Sequence, residues 1–138
     1  MVYVTRKAHF SASHRLYNPK WDDATNDRVF GKCNNPRGHG HNYEVEVTVA
    51  GTPPPETGMV IDLKKLADLI ESELIELVDH KHLNEDVEFM RGIIPTAENL
   101  AIEFWKVLEP KIHEGKLFSL KLFESANNFI EYRGPDAS

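Results

Sequence analysis

His39-Gly40-His41 puts two imidazoles two residues apart, and on an extended strand residues at that spacing point to the same side. Both rings can therefore reach one metal ion, and Gly40 lets the backbone pass close to whatever is bound. The pair is a weak motif by itself. His14 strengthens it. That residue ends a segment, Val2 to His14, that reads as a strand, and an antiparallel partner starting at His39 brings the end of one beside the start of the other. Three neutral imidazoles with a fourth position open are the donor set of catalytic zinc, Zn2+. Copper and nickel accept the same ligands. A structural zinc site normally takes four protein ligands, often several of them cysteines, and this chain has one cysteine. His9, on the opposite strand parity, reads as lying outside the ligand set, and His113 as a favourable charge near a helix end.

Cys33 lies among the 24 residues between His14 and His39, a stretch without clear periodicity. Loops of that length in a compact domain are usually functional or disordered. This one closes with Phe30-Gly31-Lys32-Cys33-Asn34-Asn35-Pro36-Arg37-Gly38, rich in turn formers and next to the expected metal. Cys33 is then a fourth ligand, an inert thiol, or a thiol beside the metal whose thiolate Lys32, Arg37 or the metal favours. A second chemical cluster, Asp79-His80-Lys81-His82, offers an aspartate that can orient and charge an imidazole in a proton relay. Its competing reading is a helix C-terminus stabilised by cationic residues, and spacing alone favours that one.

The elements that must carry these groups are set by periodicity. In the first strand, Val2, Val4, Ala8, Phe10, Ala12 and His14 form the more apolar face. The second runs from about His39 to Ala50, with Tyr43, Val45, Val47 and Val49 on one face and Asn42, Glu44, Glu46 and Thr48 on the other. Gly51-Thr52-Pro53-Pro54-Pro55 ends it. Asp62 should cap a helix reaching about Val78, with Leu63, Leu66, Leu69/Ile70, Leu74 and Leu77/Val78 as its core stripe. A second helix starts at Thr96 behind Pro95, carries Leu100, Phe104 and Leu108, and ends or kinks at Pro110, with Gly115 closing the segment. Strands at Leu117 to Glu124 and Phe129 to Arg133 complete the chain. The order ββααββ predicts an α+β fold, a four-stranded antiparallel sheet with two helices on one face.

With 138 residues, 41% hydrophobic and 28% charged, the chain reads as a single globular domain, 1–138, with no repeat and no apolar run long enough for a membrane span. No signal pattern opens it, and the lone cysteine fits a reducing compartment, so the expected location is cytoplasmic. A net charge of −6 argues against nucleic acid as a partner. Between Arg15 and Gly38, however, five basic and three acidic residues leave a net +2, where a small anion can bind; a solvated loop explains the same charges.

Taken together, Phe10-Ser11-Ala12-Ser13-His14-Arg15-Leu16 and Gly31-Lys32-Cys33-Asn34-Asn35-Pro36-Arg37-Gly38-His39-Gly40-His41-Asn42-Tyr43 resemble the 6-pyruvoyl-tetrahydropterin synthase and 6-carboxy-tetrahydropterin synthase family. So do Thr57-Gly58-Met59-Val60, Val78-Asp79-His80-Lys81-His82-Leu83, Thr96-Ala97-Glu98-Asn99 and Glu124-Ser125-Ala126-Asn127-Asn128, in the family's order. The resemblance implies the tunnelling fold, in which the sheets of three subunits join into a barrel and two trimers stack into a homohexamer with active sites at subunit interfaces. It implies zinc on His14, His39 and His41, and Cys33 as the proton-abstracting thiolate. Asp79 and His80 would support that thiolate from a neighbouring subunit, and Glu124 would hold the guanidine-like edge of the pterin. Thr96 and Glu98 match positions near the pterin or the relay; Ala97 departs from the hydroxyl residue often found there and receives no role.

The implied reaction is elimination of triphosphate from 7,8-dihydroneopterin triphosphate with internal redox rearrangement. The alternative within the family is 6-carboxy-tetrahydropterin synthase of queuosine biosynthesis, a carbon-carbon lyase that also releases acetaldehyde. Its typical members place the cysteine four positions before the first histidine of His-Gly-His. Here Cys33 precedes His39 by six, which resembles the pyruvoyl type. A metal- or pterin-binding module without catalysis is a third reading, against which Cys33, Asp79, His80 and Glu124 stand together. Arg15, Lys32 and Arg37 are the basic residues available to the triphosphate.

Overall fold

A computed structural model describes residues 1–136. Its frame is the ladder between β1 (Val2–His14) and β2 (His39–Gly51), antiparallel and unbroken from Val2 opposite Gly51 to His14 opposite His39. Strict alternation drives it. Tyr43, Val45, Val47 and Val49 are at most 1% exposed and turn to the core, while the intervening residues stay partly in solvent. Strands β4 (Lys116–Phe123) and β5 (Phe129–Tyr132) extend the sheet antiparallel beyond β2, with a register shift at Thr48/Val49.

With β3 (Lys81–His82) the sheet is five-stranded and mixed, in the order β3-β1-β2-β4-β5, which corrects the expected four antiparallel strands. The extra strand, β3, pairs parallel to Ala12 and Ser13 of β1. Two residues carry no readable period, which hides such a strand from the sequence. The stretch before β2 is also more ordered than its composition suggests. It contains helix α1 (Asp23–Phe30), capped by Asp22, and a 3₁₀ turn over Gly31–Asn34. Of the α1 residues only Asn26 is buried, so no apolar stripe announces the helix.

Asp62 caps α2 (Leu63–Ile70) by accepting from the Lys64 N–H, and Thr96 caps α4 (Ala97–Leu108) by accepting from that of Asn99. Between them, α2 loosens into a π-helical turn over Glu71–Ile75 before α3 (Glu76–Val78). One extra residue in that turn rotates the rest of the helix by about 100°. Accordingly Ile75 and Val78 are buried, whereas Leu77 of the expected stripe is 46% exposed. Leu66, Ile70 and Leu74 meet Leu100, Phe104 and Leu108 over the β2 valines in one core, each side chain contributing about 1.5–3 kcal/mol by burial. Those helices thus lie on the apolar face of the sheet, as the alternation predicts. Among the described residues, no helix is long and apolar enough to cross a membrane.

Candidate functional site

Register builds the centre. With His14 opposite His39 and Ala12 opposite His41, three imidazoles from two strands converge at one end of the sheet, and one nitrogen from each lies within 4.8 Å of the others. His14 is fully buried. Its Nδ1 lies 2.8 Å from the Pro95 carbonyl, which can only accept, so Nδ1 carries the hydrogen and Nε2 presents a lone pair. That Nε2 is 3.1 Å from His39 Nε2. The Tyr43 hydroxyl lies 3.3 Å from His14 Nδ1, and burial pushes its phenol far up, keeping it neutral.

These rings fit a cation. His41 Nε2 is buried with no hydrogen-bond partner, a costly state for a polar nitrogen. A zinc ion about 2.0–2.1 Å from each nitrogen holds neighbouring ligands about 3.3 Å apart, close to the His14–His39 separation. Burial, offset in part by the Pro95 contact and reinforced by His39, His41 and His82, lowers His14 to a pKa of about 4. His39 is lowered too, by burial first and then by His41. Both rings are therefore neutral and ready to donate at neutral pH. A proximal ring whose second nitrogen donates to a carbonyl is the support expected around a metal ligand. Cys33 is not among the converging donors.

Glu124, just past β4, directs a carboxylate oxygen to within 3.6 Å of His41 Nε2. Cys33 is half-buried in the 3₁₀ turn, and its carbonyl accepts from the Leu16 N–H at 2.8 Å, two residues beyond His14. Asp79 and His80 do form a pair: Asp79 Oδ2 lies 3.0 Å from His80 Nδ1. Asp79 Oδ1 accepts from the Ser11 N–H at 2.9 Å, and His80 N–H donates to the Ser11 carbonyl. The Ser11 contact first, then burial against it and the His80 contacts, hold the Asp79 carboxyl below the usual range. His80 takes a left-handed φ of 61°, the one non-glycine described residue to do so. A helix end stabilised by cations does not describe this arrangement, in which the pair is bolted sideways onto β1. An open cleft of about 510 Å³ joins His80 to Ser11, Ser13, Asn42 and His41.

Thr96 is occupied as the α4 cap and Glu98 is exposed on the first turn of that helix; neither lines the cleft. His9 faces away toward Glu44, and His113 is exposed beyond the last helical turn; neither is among the three converging histidines. At Gly40 an added Cβ would meet nothing closer than 3.7 Å, so the close approach expected there belongs to Gly38 instead. Gly38 has φ +77°, and a Cβ would stand 3.0 Å from the His14 carbonyl and from His82 Nε2. His82 is the residue sequence reasoning passed over. It lines the cleft, and its Nδ1 is buried without a partner. Its place beside His80 in the Asp79-to-His82 run was the available signal.

Compared with known proteins, the chain matches over residues 3–135 a family model described as 6-pyruvoyl tetrahydropterin synthase. The 6-pyruvoyl tetrahydrobiopterin synthase of Homo sapiens is 44% identical over 131 residues, covering 95% of this chain and 90% of that protein. The structure of Caenorhabditis elegans 6-pyruvoyl tetrahydropterin synthase has a TM-score of 0.91 at 40% identity, covering 96% of this chain and 95% of that one. A 6-carboxy-5,6,7,8-tetrahydropterin synthase of Rickettsia bellii (strain RML369-C) is 30% identical over 150 residues, covering 95% of this chain and 99% of that protein.

Proposed function

The chain belongs to the 6-pyruvoyl tetrahydropterin synthase family, and from that premise we propose that it is a zinc-dependent carbon-oxygen lyase converting 7,8-dihydroneopterin triphosphate to the 6-pyruvoyl product. The observation that carries this reading is the convergence of His14, His39 and His41, three imidazoles of which one nitrogen each lies within 4.8 Å of the others. They would hold zinc, which when bound polarises the substrate's side-chain oxygens and acidifies the adjacent carbon.

The remaining chemistry falls to side chains. Cys33 takes a proton from the substrate carbon as thiolate and returns it at the neighbouring position. Triphosphate departs from the terminal side-chain carbon, which ends as a methyl group; both hydroxyl-bearing carbons end as carbonyls, and their electrons reduce that terminal carbon and the C=N bond of the dihydropterin ring, so no external oxidant enters. The Asp79 carboxylate accepts from His80 Nδ1–H, which leaves Nε2 free to receive a proton from the thiol of a neighbouring subunit. The Glu124 carboxylate pairs with the donors on the pterin's guanidine-like edge. Thr96 and Glu98 stand beside the pterin or its relay in the same reading, the Thr96 hydroxyl keeping its own hydrogen while its oxygen caps α4. Arg15 donates to Asn34 from Nε and Nη2, which favours the exposed Lys32 and Arg37 for the triphosphate. A single domain, joining others through its sheet edges into a trimeric barrel and a hexamer in the cytoplasm, completes the proposal.

Cys33→Ala, in protein carrying about one zinc per chain, is expected to lose triphosphate release by a factor of about 100 or more, on the order of general-base losses. Unchanged release sinks the assignment of the thiol. The same incubation, assayed for acetaldehyde, separates the pyruvoyl from the carboxy reaction: acetaldehyde formed in step with triphosphate defeats the first and establishes the second.

A further inference from the structure

Next to Cys33, a chain of polar contacts runs through Asn34, which is 5% exposed. Asn34 Nδ2 donates to Asp27 Oδ1 on α1 at 2.7 Å. Its Oδ1 accepts from Arg15 Nε at 3.1 Å and Nη2 at 2.9 Å, and its carbonyl also accepts from Nε, at 3.1 Å. Arg15 directly follows His14 and is itself fastened. Its N–H donates to Asn84 Oδ1, its carbonyl accepts from Asn84 Nδ2, and its guanidinium lies over the Tyr17 ring at 3.9 Å. With the Leu16 N–H donating to the Cys33 carbonyl, these anchors of the cysteine turn lead back to the two residues immediately after the ligand-bearing end of β1.

The wiring is specific. An amide at position 34 can give a hydrogen to Asp27 and take two from Arg15 at once; no aliphatic side chain can do either. It is also separate from the core. Asn34 is not part of the apolar cluster, and α1, which supplies Asp27, buries no apolar residue. Breaking the Asp27–Asn34 bond therefore costs the global fold little, while it frees the turn that carries the thiol. A displacement of about 1 Å at a reacting group can cost as much as about 100-fold in rate.

We infer that Asn34, fixed by Asp27 and gripped by Arg15, is a positioning residue that holds the Cys33 thiol in register with the three-histidine cluster. The inference rests on Cys33 as the proton-abstracting group; the hydrogen-bond wiring stands without it. The test compares Asn34→Ala, Asp27→Ala and Asp27→Asn, the last keeping an acceptor for Asn34 Nδ2. Asn34→Ala and Asp27→Ala are expected to lower kcat for triphosphate release by about 10-fold or more. KM and zinc content should stay within twofold, and the iodoacetamide alkylation rate of Cys33 should rise as the turn loosens. Asp27→Asn should restore both kcat and the parental alkylation rate. Full kcat in Asn34→Ala, zinc lost along with activity in Asp27→Ala, or Asp27→Asn as impaired as Asp27→Ala each overturns the inference. Should Cys33→Ala itself stay active, the proposed reaction chemistry fails, and unchanged alkylation in the two alanine variants would then separately sink the wiring.

Discussion

Burial holds the His14 imidazole down to a pKa of about 4, and the consequence at the scale of single residues is a pH-dependent fold. An unfolded histidine titrates near 6.5, so below that value the unfolded chain takes up a proton that the folded one refuses. Stability is fully present above about 6.5 and is lost as pH falls toward 4, by at most on the order of 3 kcal/mol from this ring. His39 is shifted in the same direction. Urea unfolding of metal-stripped protein should therefore show its midpoint falling between about pH 7 and about pH 4.5, and His14→Asn should flatten that slope. A midpoint independent of pH would contradict the buried neutral ring. The three histidines were legible in the sequence because strand parity fixes where residues two apart must point. The link between Arg15 and Asn34 was not, since it depends on the path of the chain between β1 and β2, which no period encodes.

Among the elements, the junction after α3 carries the most unusual backbone. The π-helical turn rephases the helix end, and His80 then adopts its left-handed conformation, with its own N–H and the neighbouring Asp79 carboxylate both fastened to Ser11. Histidine tolerates that region better than branched residues do. His80→Val should lower stability by about 1–2 kcal/mol beyond the loss of activity. His80→Gly should unfold within about 1 kcal/mol of the parent while being equally inactive. Urea midpoints of the two variants check this, and equal midpoints would mean the conformation carries no strain. Long elements were readable from alternation and caps: Asp62 and Thr96 open helices as their side chains dictate. The two-residue β3, the polar α1 and the π-helical turn were not. Strand β3 exists through its pairing with the distant β1, and α1 through polar caps and hydrogen bonds to neighbouring turns, neither of which leaves an apolar period.

For the whole molecule, the question is whether the groups assigned to one reaction sit on one chain. The Asp79–His80 pair is outside the three-histidine cluster, and the His80 side chain is 82% exposed, available to a neighbouring copy. If the active site is shared, mixing inactive Cys33→Ala with inactive His80→Ala and letting subunits exchange should revive about a quarter of the sites by random assortment in a closed ring. No revival after demonstrated exchange, or full activity in a particle that sizes as a monomer, contradicts a shared site. The unbroken pairing of β1 with β2 has a last consequence. Because His14 meets His39 only in that one alignment, adding or deleting a single residue within either strand would send one partner's imidazole to the opposite side of the sheet. Metal uptake by such frame-shifted variants is thus a gauge of how the two longest strands have found each other, readable without any substrate.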